Sequence, residues 1–145
     1  MPQVQPFNCT EKNVVLKISA VSHDGIEDAK FDTAFPRDLS KYRVQPSDWT
    51  CLIEEANNVL RFDWYPRLLW WSLLCCIPFL LDDHNKAITR RGKALVKQWN
   101  EQGRLPSMLV VHFTTEKVAT TRHGSGSRKG VAEETLHSIE ICKKQ

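Results

Sequence analysis

No stretch of this sequence is both long enough and apolar enough to cross a bilayer. The longest uncharged run, residues 68–81 (LLWWSLLCCIPFLL), holds fourteen residues; as a helix it would cover about 21 Å, where a bilayer core needs about 30 Å. The opening MPQVQPFNCT has neither the charged and apolar regions of a signal peptide nor a glycine at position 2 for myristoylation. The chain is therefore expected to begin and stay in the cytosol. Five cysteines, an odd number without metal-like spacing, suit a reducing compartment better than a disulfide framework. Asn8-Cys9-Thr10 fits the glycosylation pattern, but a cytosolic chain does not meet that enzyme. The glycines form no phosphate loop, which needs Lys followed by Ser or Thr. No internal repeat is visible. A net charge of +3 and a pI near 8.6 are too mild to point to nucleic acid, and no nucleic-acid partner is expected.

Catalytic and metal chemistry are missing in the same way. No nucleophile motif surrounds Cys75 or Cys76, and no spacing ties either thiol to His84, His112, His123 or His137. The chain is expected not to be an enzyme, and no catalytic residue is assigned. Asp82, Asp83 and His84 carry side chains that metals accept, yet adjacent carboxylates at a helix start read as caps, so no metal or cofactor is assigned. The ending Cys142-Lys143-Lys144-Gln145 places lysines where a prenylation box needs aliphatic residues.

What the chain does have is the apolar run itself, fenced by Arg67 and by Asp82-Asp83, with Ser72 its one polar residue. A half-buried helix alternates with polar residues every three or four positions; this segment does not. Pro78 would bend a helix running through it, because it cannot donate to the Leu74 carbonyl. Three placements fit: a buried core helix, a segment lying in the membrane interface, or a surface covered by a partner's membrane helices.

In chain order, residues 1–13 read as a flexible N-terminus before a single domain over 14–145. Residues 14–21 alternate, with Val14, Leu16, Ile18 and Ala20 on one face; after the Asp24-Gly25 turn, residues 30–35 resume with Phe31, Thr33 and Phe35 on one side. That pattern predicts a β-hairpin closed by Pro36. Ser47 is a candidate cap for a helix carrying Trp49, Leu52, Ile53, Ala56, Val59 and Leu60 on one stripe. A third helix is predicted over 84–102, with Ile88, Leu95 and Trp99 at helical spacing, an acidic start at Asp82 or Asp83, and a stop at Gly103. Residues 108–114 read as a strand buried on both sides and 136–142 as a closing strand with Ile139 and Ile141 inward. A mobile loop is predicted over 120–130. The expected fold is α+β: an antiparallel sheet from the N-terminal hairpin and two C-terminal strands, with three helices, the middle one apolar and facing membrane or partner.

The third helix has a second face. Lys86, Arg90, Lys93 and Lys97 recur at four, three and four residues. A stripe of this kind is either a solvated surface or, following an apolar segment, a helix near anionic headgroups, where each cation adds about 1 kcal/mol. S-acylation fits the same placement. It needs a cytosolic thiol at the membrane surface, and stable anchoring takes two signals; Cys75 and Cys76 are the lipidation candidates, against the alternative of two small apolar residues in a core helix.

The segment Phe31-Asp32-Thr33-Ala34-Phe35-Pro36-Arg37-Asp38-Leu39 resembles the F-x-T-x-F-P-x-x-L motif of the golgin subfamily A member 7 proteins and the related fungal Ras acyltransferase accessory subunits. The order that follows is also similar: Asn57-Asn58 near a helix end, a cysteine-containing apolar segment, His84 opening a basic helix, Gln98-x-Asn100-Glu101 near its end, and a final strand with Ile139-Glu140-Ile141. The resemblance covers residues 31–141. It implies a non-catalytic accessory subunit that binds and stabilises a zinc-finger (DHHC-type) protein S-acyltransferase on the cytosolic face of Golgi or endoplasmic reticulum membranes, so that Ras-like proteins are palmitoylated. Zinc and the catalytic cysteine would belong to the partner, and the chain would itself be a lipoprotein. The residues expected to meet membrane or partner are Phe35 and Pro36 of the motif, with Leu69, Trp70, Trp71, Leu74, Phe79 and Leu80 of the apolar run. The other reading is a stand-alone peripheral membrane protein acting through the apolar segment and the basic helix.

Overall fold

The computed structural model describes residues 13–20, 29–61, 77–122 and 130–144, with side chains described outside 77–83, 120–122 and 130–133. The fold is α+β. A three-stranded antiparallel sheet has the order β1-β3-β2, where β1 is Val14–Ser19, β2 is Leu109–Arg122 and β3 is Gly130–Lys143. The helices among the described residues are α1 (Arg37–Ser40), α2 (Pro46–Leu60) and α3 (Ile77–Gln102).

The two C-terminal strands form as expected but run further than their apolar centres. β2 and β3 stay in register from Leu109↔Lys143 to Arg122↔Gly130, so both ends of the predicted loop over 120–130 belong to a long ribbon. Alternation divides its residues between two faces. Leu109, Val111, Phe113 and Thr115 share a face with Ile141, Ile139 and His137. Val111, Ile139 and Ile141 are no more than 2% exposed, and each buried aliphatic side chain adds roughly 1.5–3 kcal/mol. An ion-pair cluster lies on the opposite face, where Lys17 of β1 pairs with Glu116 at 2.9 Å and Glu140 at 3.1 Å.

The N-terminal hairpin does not form. β1 pairs with β3, and apart from an isolated bridge residue at Lys30, residues 31–36 contain no strand. Side chains have taken the backbone groups that a neighbouring strand would need. Asn57 bonds both the N–H and the carbonyl of Phe31. Asp32 Oδ1 accepts the Ala34 N–H at 2.9 Å, an Asx turn, and Trp49 Nε1 donates to the Ala34 carbonyl at 3.1 Å. β1 also departs from simple alternation: its register shifts between Val14 and Leu16, leaving Val14 exposed while Leu16 and Ile18 pack on the core.

Helix α2 buries the predicted stripe of Trp49, Leu52, Ile53, Ala56 and Leu60, with Val59 half-buried. Its start is set differently from the expectation. Gln45 is the N-cap, no side chain caps it, and Pro46 fills the first position, where its missing N–H is no loss. Ser47 lies inside the helix.

Helix α3 is described from Ile77, ahead of the predicted start at His84, so Asp82 and Asp83 fall within its backbone rather than at its cap. Pro78 lies within this helical range, and the residues before Ile77 fall outside the described ones. The end is as predicted. Gly103 has φ +63° and the Arg104 N–H reaches back to the Trp99 carbonyl at 3.1 Å, a Schellman stop.

Two contacts fasten α3 over β2, and a third ties it to α2. Asn100 bonds both backbone groups of Val111, donating to its carbonyl at 2.9 Å and accepting its N–H at 3.0 Å; this covers part of an edge strand that would otherwise offer unpaired groups. At Gly92, a Cβ would lie 2.6 Å from Phe113 Cζ, so the absence of a side chain sets how closely helix and strand approach. On the α2 side, Glu55 accepts from Trp99 Nε1 at 2.8 Å and from Arg104 Nη2 at 3.1 Å. Ile88, Val96 and Trp99 close the core. No helix among the described residues is long and apolar enough to cross a membrane.

Candidate functional site

Asn85 to Lys93 of α3 border a groove of about 580 Å³ against the β2–β3 ribbon. The helical spacing explains the layout. Asn85 and Thr89 project onto the sheet one turn apart, while Lys86, Arg90 and Lys93 flank them on the exposed side. Lys117 of β2 enters from the sheet, two residues beyond Thr115 on the same face, and Thr135 of β3 completes the far wall.

A polar network underlies the groove. Thr89 Oγ1 lies 2.9 Å from both the Asn85 carbonyl and Thr115 Oγ1. Thr115 Oγ1 lies 3.1 Å from His137 Nδ1, and His137 Nε2 lies 3.3 Å from Asn85 Oδ1. His137 is 4% exposed and stacks on Phe113 at 5.8 Å between centroids. Burial, with a smaller contribution from the His84 charge, pushes its pKa down to about 4. The ring is neutral at pH 7 and carries one proton. The four contacts call for four protons, whereas the neutral ring and two hydroxyls supply three. With Nε2–H donating to Asn85 and Thr115 donating to Nδ1, the Thr89 hydroxyl divides its proton between Thr115 and the Asn85 carbonyl.

The basic stripe read from the sequence is thus divided. Lys86, Arg90 and Lys93 line the groove, while Lys97, one turn on, pairs with Glu101 at 3.8 Å in full exposure. Lys117, Thr89, Thr115 and His137 complete the site. None of the four was assigned to a site by sequence; the alternation that puts Thr115, Lys117 and His137 on the α3 face follows from the β2–β3 register, which no local pattern fixed. Phe35 and Pro36 are half-buried, Phe35 against the core and Pro36 as N-cap of α1. Leu69, Trp70, Trp71, Leu74, Cys75 and Cys76 lie outside the described residues, as do the side chains of Phe79 and Leu80. Among the described residues no group of acidic, His or Cys side chains could hold a metal. Cys142, fully buried, is engaged in a disulfide, a departure from the all-thiol expectation, while Cys51 is free and exposed.

The class the architecture defines is a small α+β domain with a cationic groove between a helix and an antiparallel ribbon. Compared with protein-family models, with curated proteins and with solved structures, the chain matches none of them.

Proposed function

We propose that this chain is a non-catalytic accessory subunit that binds and stabilises a DHHC-type protein S-acyltransferase at the cytosolic face of Golgi or endoplasmic reticulum membranes, supporting palmitoylation of Ras-like proteins. The observation that carries the membrane-surface part is continuity: α3 includes residues 77–81 of the apolar run and continues unbroken to the cations Lys86, Arg90 and Lys93. One rigid element therefore joins a segment too apolar for water to a face suited to anionic headgroups. The acyltransferase part rests on the resemblance. It is supported by where the matching residues sit: Phe31 and Leu39 are buried, Asn57 holds Phe31, and Asn100 holds Val111. The zinc and acyl-transfer cysteine belong to the partner in this reading. Phe35, Pro36 and the run's Trp70 and Trp71 are the contact residues, and Cys75 and Cys76 are acylated.

Co-expression of the full chain with a DHHC acyltransferase tests the reading. The two should co-purify, and the enzyme's steady-state level and auto-acylation should rise. A chain that stays separate and leaves both unchanged defeats it. The groove's cations also favour a second reading, a peripheral membrane protein that acts alone. Sedimentation with anionic liposomes in the absence of partner separates the two, since only the second requires binding there.

A further inference from the structure

We infer that Cys142 is bonded to Cys9, and that this disulfide straps the segment preceding β1 over the outer face of the sheet. Cys142 is disulfide-bonded and Cys51 is free, so in a chain with cysteines at 9, 51, 75, 76 and 142 its partner is Cys9, Cys75 or Cys76. Helix α3 excludes two of these. At 1.5 Å per residue, Ile77 lies about 34 Å from Asn100 along the helix. The Asn100 side chain holds both backbone groups of Val111, and Val110 pairs with Cys142, a path of at most about 17 Å between the Cα atoms of Asn100 and Cys142. Ile77 is therefore at least about 17 Å from Cys142. Cys76 and Cys75 immediately precede Ile77 and lie within about 4 and 8 Å of it, so both stay at least about 9 Å from Cys142, beyond the roughly 7 Å that a disulfide spans between Cα atoms. Cys9 has the reach. Val14 lies directly opposite Cys142 in the β1–β3 ladder, and the chain from Cys9 to Val14 can extend up to about 17 Å.

The outer face is covered at the same place. Strand alternation sets Val110, His112 and Thr114, with Cys142, Glu140 and Ser138 opposite them, on the face away from α3. Helix α3 meets the other face, through Gly92 at Phe113 and Thr89 at Thr115. Yet Cys142 and Ser138 are 0% exposed and Val110 is 9% exposed, and His112 Nε2 and Thr114 Oγ1 are closed to solvent. The uncovered face of an antiparallel sheet is open to water. A strap fixed at Cys142 supplies the missing layer, and the sequence ahead of Cys9 carries Val4, Pro6 and Phe7, apolar side chains suited to Val110. The bond forms when the two thiols give up two electrons and two protons to a disulfide oxidant such as oxidised glutathione, which leaves as two molecules of reduced glutathione; a dithiol reverses the step. A reducing cytosol works against such a bond, so in the compartment of the functional reading the strap is the redox-dependent part of the fold. The pairing itself rests on geometry, and it takes neither of the thiols proposed for acylation.

The full chain is treated with oxidised glutathione, alkylated, digested without reduction and mapped by mass spectrometry. A peptide linking Cys9 to Cys142 is expected, lost in Cys9→Ser and kept in the double variant Cys75→Ser, Cys76→Ser. Because the closed loop spans residues 9–142, dithiothreitol should lower the melting temperature by about 10 °C. Cys9→Ser should melt near the reduced temperature whether or not dithiothreitol is present, and a retained far-ultraviolet circular dichroism spectrum establishes that it folds. The cover has its own readout. In the folded, reduced chain iodoacetamide should label Cys142 at a rate within about tenfold of the exposed Cys51, and Cys9→Ser should show the same labelling without reduction. Linkage of Cys142 to Cys75 or Cys76, a disulfide-linked dimer on a non-reducing gel, or a Cys142 that stays unlabelled in the folded, reduced chain overturns the proposal. A Cys9–Cys142 peptide from a chain that fails to co-purify with an acyltransferase leaves the strap standing and removes only the functional reading.

Discussion

Asn57 and Phe31 exchange two hydrogen bonds across 26 residues of chain: the Phe31 N–H donates to Asn57 Oδ1 at 2.7 Å and Asn57 Nδ2 donates to the Phe31 carbonyl at 3.2 Å. The side-chain amide thus does for Phe31 what a β-strand neighbour would have done. A primary amide on a short stem is the side chain that offers one donor and one acceptor in this geometry. Asn100 repeats the device on Val111.

Removing the clamp should therefore cost more than a surface substitution. Asn57→Ala leaves two backbone groups of a buried residue without partners and is expected to lower unfolding free energy by about 2–3 kcal/mol in urea titrations. Asn57→Asp keeps an acceptor for the N–H but sets a carboxylate against the Phe31 carbonyl. It should be at least as destabilising at pH 7 and should recover in part below about pH 4, where the protonated acid can donate.

Gly92→Ala is expected to cost about 1–3 kcal/mol, because the new methyl meets the Phe113 ring rather than a flexible chain end. The cost should fall in a Gly92→Ala, Phe113→Leu double variant, and a double-mutant cycle would measure the coupling. Additive losses would show that helix propensity and packing act independently at this crossing.

Stability should depend on pH through His137. Its folded pKa is about 4, below the ordinary 6.5, so between these values the unfolded chain binds a proton that the folded chain does not. Stability is then complete above about pH 6.5, declines as pH falls toward 4, and loses about 3 kcal/mol in all. His137→Leu should flatten this window in pH-dependent unfolding, at the expense of overall stability, because Thr115 and Asn85 lose a partner.

Glu55 joins α2 to the end of α3 through Trp99 and Arg104. Glu55→Gln retains an acceptor for the indole and should cost under about 1 kcal/mol, consistent with the partial exposure of the Arg104 pair. Glu55→Ala removes the acceptor as well and should cost about 1–2 kcal/mol, read from thermal unfolding.

For acylation, Cys75→Ser with Cys76→Ser is expected to abolish labelling by a palmitate analogue and to reduce membrane retention, since stable anchoring needs two signals. Undiminished labelling would exclude these thiols.

Where a segment's pattern is set by its own burial, the sequence was readable. The stripe from Trp49 to Leu60, the inward Ile139 and Ile141, and the Gly103 stop all follow from periodicity or from a backbone conformation that glycine favours. The predicted strand over 30–35 failed because alternation of Phe31, Thr33 and Phe35 describes an extended chain and not its hydrogen-bond partner; Asn57, Trp49 and Asp32 took that role. Ser47 and Asp82-Asp83 misled for a similar reason, since capping residues mark a helix start only if the preceding residues leave the helix.

The cationic site divides along the same line. Sequence alone determined that α3 carries Lys86, Arg90 and Lys93 on one face, because 3.6-residue periodicity is a local property. Only the tertiary structure decided that Lys117, Thr115 and His137 join them: strand alternation sends each to one face, but which face meets α3 depends on register. The register is set by burying Val111, Phe113, Ile139 and Ile141 together beneath Gly92 and Trp99, and a core packed from distant segments cannot be read from any one of them.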